Sequence, residues 1–171
     1  MNIKIIDKID KACERYKKVQ TNGISKFVKL DEWLDKESSI FESEVLKRNL
    51  IYSKFKRGEI IKVDFGINIG SELSHTHFAI VLNSDDTFYN DNITVMPITS
   101  KKGYKRIPLG RILKSAMPKT EKYKLECYGY LTQIKTISKR RIFKTNFKYV
   151  CDNHTLDMID KYIKEFLTKG E

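Results

Sequence analysis

Proline is scarce in this chain, with three among 171 residues, and glycine is only slightly more frequent, with eight. So few chain-breaking residues exclude a collagen-like repeat and argue against a long flexible linker. Cys13, Cys127 and Cys151 are odd in number and far apart, with no C-x-x-C pair. That spacing suggests neither a disulfide framework nor a zinc knuckle, and neither a cofactor nor a bound metal is expected. No run approaches the roughly 18 to 20 apolar residues that a membrane span needs. The first residues, MNIKIIDKIDK, place acids where a secretory signal would place an apolar stretch. The expected location is the cytoplasm, with no membrane partner.

Acidic residues are the other deficit: 22 Asp and Glu stand against 33 Lys and Arg, a net charge of +11. Residues 100–148 hold fifteen of the cations against Glu121 and Glu126, a net of +13 that leaves −2 for everything else. Positive charge gathered in this way attracts polyanions, with counterion release supplying affinity. Nucleic acid is the first partner to consider; a solvated lysine-rich surface is the plain alternative.

The apolar content of 40% is that of a folded chain, and the length allows one ordinary domain with a small appendage. In residues 3–19, Ile5, Ile9, Ala12, Tyr16 and Val19 recur at steps of four and three, the stripe of an amphipathic helix. Asn22-Gly23 signals a turn. A second helical region follows from about Leu30 to Leu50, with Leu30, Trp33, Leu34, Ile40, Phe41 and Val45 as its buried candidates and KESS as a possible interruption.

From Phe55 the period shortens to two. GEIIKVDFG alternates Ile61, Val63 and Phe65 against Lys62 and Asp64; HFAIVLN and NITVMPIT are short apolar runs, and Pro97 in the latter suggests an edge or a bulge. RIPLGRIL and ECYGYLTQIKTI are two more strand candidates around a basic loop, KSAMPKTEKYK. The chain closes on an amphipathic helix, with Asp152 or Asn153 as its cap, Leu156, Ile159, Ile163 and Phe166 as its stripe and Gly170 as its stop. Consecutive short strands without intervening helices predict an α+β, mainly β, fold. Its centre is a small antiparallel barrel or strongly bent sheet, with the last helix packed on it and the first residues as a helical extension.

Four segments in order, KRGEIIKVDFGINIGSE, HFAIVLNSD, NITVMPITSK and YLTQIKTISKRRI, resemble the MazF/PemK family of toxin-antitoxin ribonucleases. The similarity covers about residues 55–167 and leaves residues 1–54 unmatched, which divides the chain into a helical extension, 1–54, and a barrel domain, 55–171. It implies an SH3-like barrel and a homodimer that cuts single-stranded RNA, such as mRNA, at short sequences without metal and is neutralised by a cognate antitoxin protein. It further implies that TQIKTISKRRI holds the barrel together and shapes a dimer face.

Metal-free RNA cleavage uses the substrate's own 2′-hydroxyl as nucleophile, so the protein must take one proton, give another and stabilise a phosphorane. In the family pattern an arginine entering the strand after Gly-Ser-Glu and a Ser or Thr ending the next strand carry the reaction. Thr99 matches the second position. His77 falls on the first, where an imidazole that can shuttle protons replaces a permanently charged phosphate clamp. His77 and Thr99 are thus the catalytic candidates. Ser71, Glu72, His75, Ser100, Lys101 and Lys102 are candidates for substrate contact. Most have a structural alternative: His77 as a hydrogen-bonded strand start, Thr99 as a β-branched strand end, His75 as part of a flexible loop, Gly70-Ser71-Glu72 as a turn, and Lys101 and Lys102 as solvated charge. Tyr104, Tyr123, Phe143, Phe147 and Tyr149 interleave with the cations, a mixture that single-stranded RNA binding uses and that a core can equally absorb.

Two readings remain open at this point. One is an endoribonuclease toxin; the other is a catalytically degenerate module that binds RNA or a protein target such as DNA gyrase. Residues 1–54 could pack as a hairpin on the barrel, extend a dimer interface, or cover the RNA groove.

Overall fold

The computed structural model describes residues 3–46, 51–113, 126–144 and 149–168. These fall into two units, one within residues 1–49 and 66–74, the other within 50–65 and 75–171. Among the described residues no helix is long and apolar enough to cross a membrane.

In the first unit the sequence folds as α1 (Ile3–Gln20), a 3₁₀ turn at Ser25–Phe27, and α2 (Leu30–Leu46). The Asn22 carboxamide accepts from the Ile24 amide at 3.0 Å, and Gly23 takes φ +80°, so Asn22-Gly23 forms the turn its residues favour. Gln20 Nε2 donates to Asp31 across that turn at 2.7 Å. α2 runs unbroken through Lys36–Ser39: the Ser38 hydroxyl donates back to the Asp35 carbonyl rather than competing for helical amides. Leu30 and Trp33 are buried, but Ile5, Ile9 and Tyr16 of α1 and Phe41 and Val45 of α2 are exposed. The periodicity located the stripes, but within this unit much of their apolar surface is left uncovered.

Residues 66–74 belong to this unit. Gly66, at φ +78°, lies so close to Trp33 that a Cβ would sit 2.5 Å from the indole, which only glycine avoids. Lys26 Nζ donates to the Gly70 carbonyl at 2.8 Å.

Among its described residues the second unit contains six strands: β1 (Ile60–Asp64), β2 (Thr76–Val81), β3 (Asn92–Thr99), β4 (Arg106–Gly110), β5 (Cys127–Tyr130) and β6 (Lys135–Ser138). All pair antiparallel, in the order β1-β2-β3-β5-β4, with β6 also on β3. The run ECYGYLTQIKTI is two strands rather than one, separated by a 3₁₀ turn at Leu131–Gln133. Both lie along the same edge of β3: β6 against Asn92–Val95, β5 against Ile98 and Thr99. Met96 and Pro97 fall in the gap. Pro97 therefore marks no edge of the sheet; it sits on the central strand where the ladder changes partner and where a missing N–H leaves nothing unpaired. The outer edge of β1 is also occupied, by bridges from Glu59 to Val150 and from Val63 to Ile142, and among the described residues the sheet does not close into a continuous barrel.

One face of this unit forms its main core, in which Ile60, Ile80, Met96, Ile98, Ile107, Leu109 and Leu131 meet Ile159 of α3 (Asn153–Thr168). Leu156, Ile163 and Phe166 of α3 pack against the same cluster, as their stripe predicts. Asp152 is the α3 cap, accepting from the Thr155 amide at 2.7 Å; that hydrogen bond holds its carboxyl below the usual range. Gly170, Tyr123, Phe147 and the loop KSAMPKTEKYK lie outside the described residues.

Two charges are buried together. Lys139 and Asp86 are 2% and 1% exposed at their side chains, with Nζ 2.7 Å from Oδ1. The ammonium also donates to the Ser53 and Thr87 carbonyls at 3.0 and 2.9 Å, and Asp86 Oδ2 accepts from the Phe55 amide at 2.8 Å. The pair thereby pins residues 53–55 and the segment after β2 to the turn after β6. Removing one partner strands the other charge in low dielectric, which costs about 3–5 kcal/mol. Lys139→Met is accordingly expected to lower unfolding stability by that amount in urea titration; a loss below about 1 kcal/mol would show that the pair is not needed.

Candidate active site

A cavity of about 530 Å³ opens at the ends of β2 and β3, lined by residues of the second unit. Its position follows from the register. Ala79 pairs with Pro97, and no further β2–β3 pairs form beyond them; continued by two residues, that register sets His77 abreast of Thr99. Where the ladder stops, the strands no longer hold each other's backbone, and space opens between them. Phe78, Ile98, Leu113 and Cys127 form the apolar lining, and all belong to or pack against the main core. Lys62, Thr76, His77, Thr99, Ser100 and Lys101 supply the polar lining.

His77 and Thr99 thus line one cavity, and both are partly exposed. The imidazole stands edge-on to Phe65, ring centres 6.3 Å apart, which limits its rotation. Thr99 Oγ1 accepts from the Lys101 amide at 3.2 Å. A threonine hydroxyl has one proton to donate, and this arrangement leaves it directed elsewhere. The Lys101 carbonyl in turn accepts from Arg106 Nη1 at 3.0 Å, while the Arg106 guanidinium stacks 3.6 Å above the Tyr130 ring. Lys101 is therefore fixed at both its amide and its carbonyl, and its side chain reaches solvent beside the cavity.

The remaining candidates divide. Ser100 and Lys101 line the cavity; Lys102 is exposed beyond it. His75 precedes β2 with φ +69° and does not line the cavity; its carbonyl accepts from the Phe65 amide at 3.0 Å. The alternation expected of a strand does not reach it, because the strand begins at Thr76. Ser71 and Glu72 are exposed in a turn closed by the Glu72 amide on the Ile69 carbonyl, 3.2 Å, with Gly70 at φ +59°. They belong to the first unit. In the same stretch Ser74 is buried, its hydroxyl accepting from the Asn68 amide at 3.0 Å.

Sequence reasoning missed Lys62, Thr76, Phe78, Cys127 and Arg106. Lys62 carried a usable signal, as the outward cation of an alternating strand beside the predicted histidine strand. Cys127 and Arg106 carried none, since their roles depend on β5 pairing with both β3 and β4.

Residues 56–167, which span all six strands and most of α3, match the family model of the PemK-like, MazF-like toxins of type II toxin-antitoxin systems. The chain belongs to this toxin family. Solved structures similar to it include a MazF from Deinococcus radiodurans, with 16% identity and a TM-score of 0.49 over 68% of this chain and 99% of that one. An endoribonuclease from a mycobacterial species shares 12% identity, TM-score 0.47, over 68% and 93% of the two chains. A MazE–MazF structure from Deinococcus radiodurans shares 15%, TM-score 0.44, over 69% and 99%. No match was found among curated proteins.

Cys127 lies in the cavity wall with its thiol pushed up by burial, and burial pushes Cys151 up to about 11. A raised thiol holds little thiolate near neutrality, and thiolate is the nucleophile. Alkylation of the native protein near neutral pH is expected to add one group, at the exposed Cys13, and three after denaturation. Rapid labelling of Cys127, read by peptide mass, would contradict this placement of its thiol.

Proposed function

We propose that the protein is an endoribonuclease toxin that cuts single-stranded RNA by transesterification at the cavity between His77 and Thr99. The observation that carries this reading is the meeting of an imidazole, a hydroxyl fixed by a backbone amide, and two lysines, Lys62 and Lys101, around one cavity. The imidazole of His77 takes the proton of the ribose 2′-hydroxyl, whose oxygen attacks the adjacent phosphorus. The Thr99 hydroxyl donates to a non-bridging oxygen as the phosphorane gains charge, and the positive charges of Lys62 and Lys101 stabilise that charge. The P–O5′ bond breaks, the 5′-oxygen takes a proton from water while the His77 imidazolium returns its own to solvent, and a 2′,3′-cyclic phosphate remains. Because the nucleophile belongs to the substrate, no metal-activated water is required.

Histidine suits this task chemically, since it titrates near neutrality and exchanges protons, whereas the arginine of the family pattern only donates. The same substitution favours a second reading, a binding module without turnover. Support for an antitoxin partner comes from the family, whose members are toxins of type II toxin-antitoxin systems. We extend the reading to a cytoplasmic homodimer neutralised by such a protein.

The test is incubation of purified protein with single-stranded RNA in EDTA. The reading predicts discrete fragments, with His77→Ala slowing cleavage by about 10²–10⁴ and Thr99→Ala by about 10²–10³. Intact RNA that nevertheless stays bound would replace the enzyme by the module.

A further inference from the structure

A second cavity, about 690 Å³, lies within the same unit, and the proposed active site does not use it. Tyr52, Phe55 and Phe143 line it together with Lys54, Arg140 and Lys144. Cations and rings are paired there: the Arg140 guanidinium lies 5.8 Å from the Tyr52 ring centre, and Lys62 Nζ lies 5.2 Å from that of Phe143. Among the described lining residues the carboxylate is that of Glu59, which accepts from the Lys56 amide at 3.0 Å, so that negative charge is directed to backbone. The Lys139–Asp86 pair fixes the wall from behind through Ser53 and Phe55.

The linings of the two cavities meet at Lys62 and Phe143. Lys62 lines the first, and its ammonium covers the ring of Phe143, which lines the second. The backbone makes the same connection, with the Phe143 amide donating to the Lys62 carbonyl at 2.9 Å. An outward lysine on β1 therefore stands between the strand-end cavity and the basic, aromatic one. Tyr52, Lys54 and Phe55 also precede residues 56–167, the part of the chain that the toxin family model covers.

We propose that the second cavity is a nucleotide-binding subsite that holds a flanking part of the same single-stranded RNA whose scissile phosphate sits between His77 and Thr99. This inference rests on the proposed function for the identity of the strand. Phosphates follow the cationic side, from Lys101 and Lys62 to Arg140, Lys144 and Lys54, while a base stacks on Phe143 or Tyr52. Backbone cations with aromatic faces are the combination that binds single strands without strong sequence preference.

Binding of 2′-O-methyl RNA, which has no nucleophilic hydroxyl, separates this inference from cleavage. Fluorescence anisotropy with oligonucleotides of about four and about twelve residues is expected to show that Arg140→Ala, Lys144→Ala and Tyr52→Ala each weaken the longer one about tenfold and leave the shorter unchanged. Loss of one phosphate contact should also reduce the salt slope for the longer oligonucleotide by about 0.7. Three substitutions on the cavity surface guard against one of them misfolding. Equal affinities for the longer oligonucleotide before and after all three would overturn the subsite, whether or not cleavage occurs, and would return the cavity, with its exposed Ile51 and Val150, to a protein partner. A length-dependent loss without any RNA cleavage would keep the subsite and remove the catalytic reading instead.

Discussion

The constraint on which this domain depends is that a single strand, β3, is shared between two ladders on one edge and gives up its other partner early. Along Asn92–Val95 it holds β6, and at Ile98–Thr99 it holds β5. Met96 and Pro97 bridge the change. A residue with an N–H at position 97 would face a gap with an unsatisfied donor, a cost of roughly 1–3 kcal/mol when buried; proline has none to leave. On the opposite edge β2 releases β3 just after Ala79–Pro97. The same two residues of β3 thus mark both the change of partner and the opening of the cavity.

The chemistry follows from where the core ends. Ile98, Leu113 and Cys127 are core residues that also line the cavity, so the polar groups beside them face a partly apolar surface rather than bulk water. Electrostatic contacts are stronger in such surroundings. The hydroxyl of Thr99 is oriented by the Lys101 amide, and Lys101 is held by Arg106, whose ring stacking comes from β5. The strand exchange on β3 therefore shapes the site as well as the sheet.

Much of this fold was legible in the sequence because its signals are local. Period-two alternation was reproduced from Ile61 to Phe65, with Ile61, Val63 and Phe65 buried and Lys62 and Asp64 half-exposed, although Ile60 at the start of β1 is buried as well. The α3 stripe and the Asp152 cap were equally local. Features that depend on distant partners left no such local signal. The break at Leu131–Gln133 has no proline or glycine to announce it, and the exposure of Ile5, Ile9 and Phe41 could not be inferred from a pattern that only says which residues share a side. Of the candidate site, the strand-end residues His77, Thr99, Ser100 and Lys101 line one cavity, whereas His75 and Lys102 fall outside it and Ser71 and Glu72 belong to a turn of the other unit. Spacing along the chain marked the loop but could not assign it to a unit.

The central claim is that an imidazole moves the proton in a position where the family pattern places a guanidinium. The pH–rate profile of RNA cleavage, measured for the native protein and for His77→Arg, tests it most directly. The account predicts an acid limb in the native profile that reports a group titrating near neutrality, and its disappearance with a large loss of rate in the arginine variant. An arginine variant that cuts as fast as the native protein, with the same profile, would contradict it and make residue 77 a phosphate clamp.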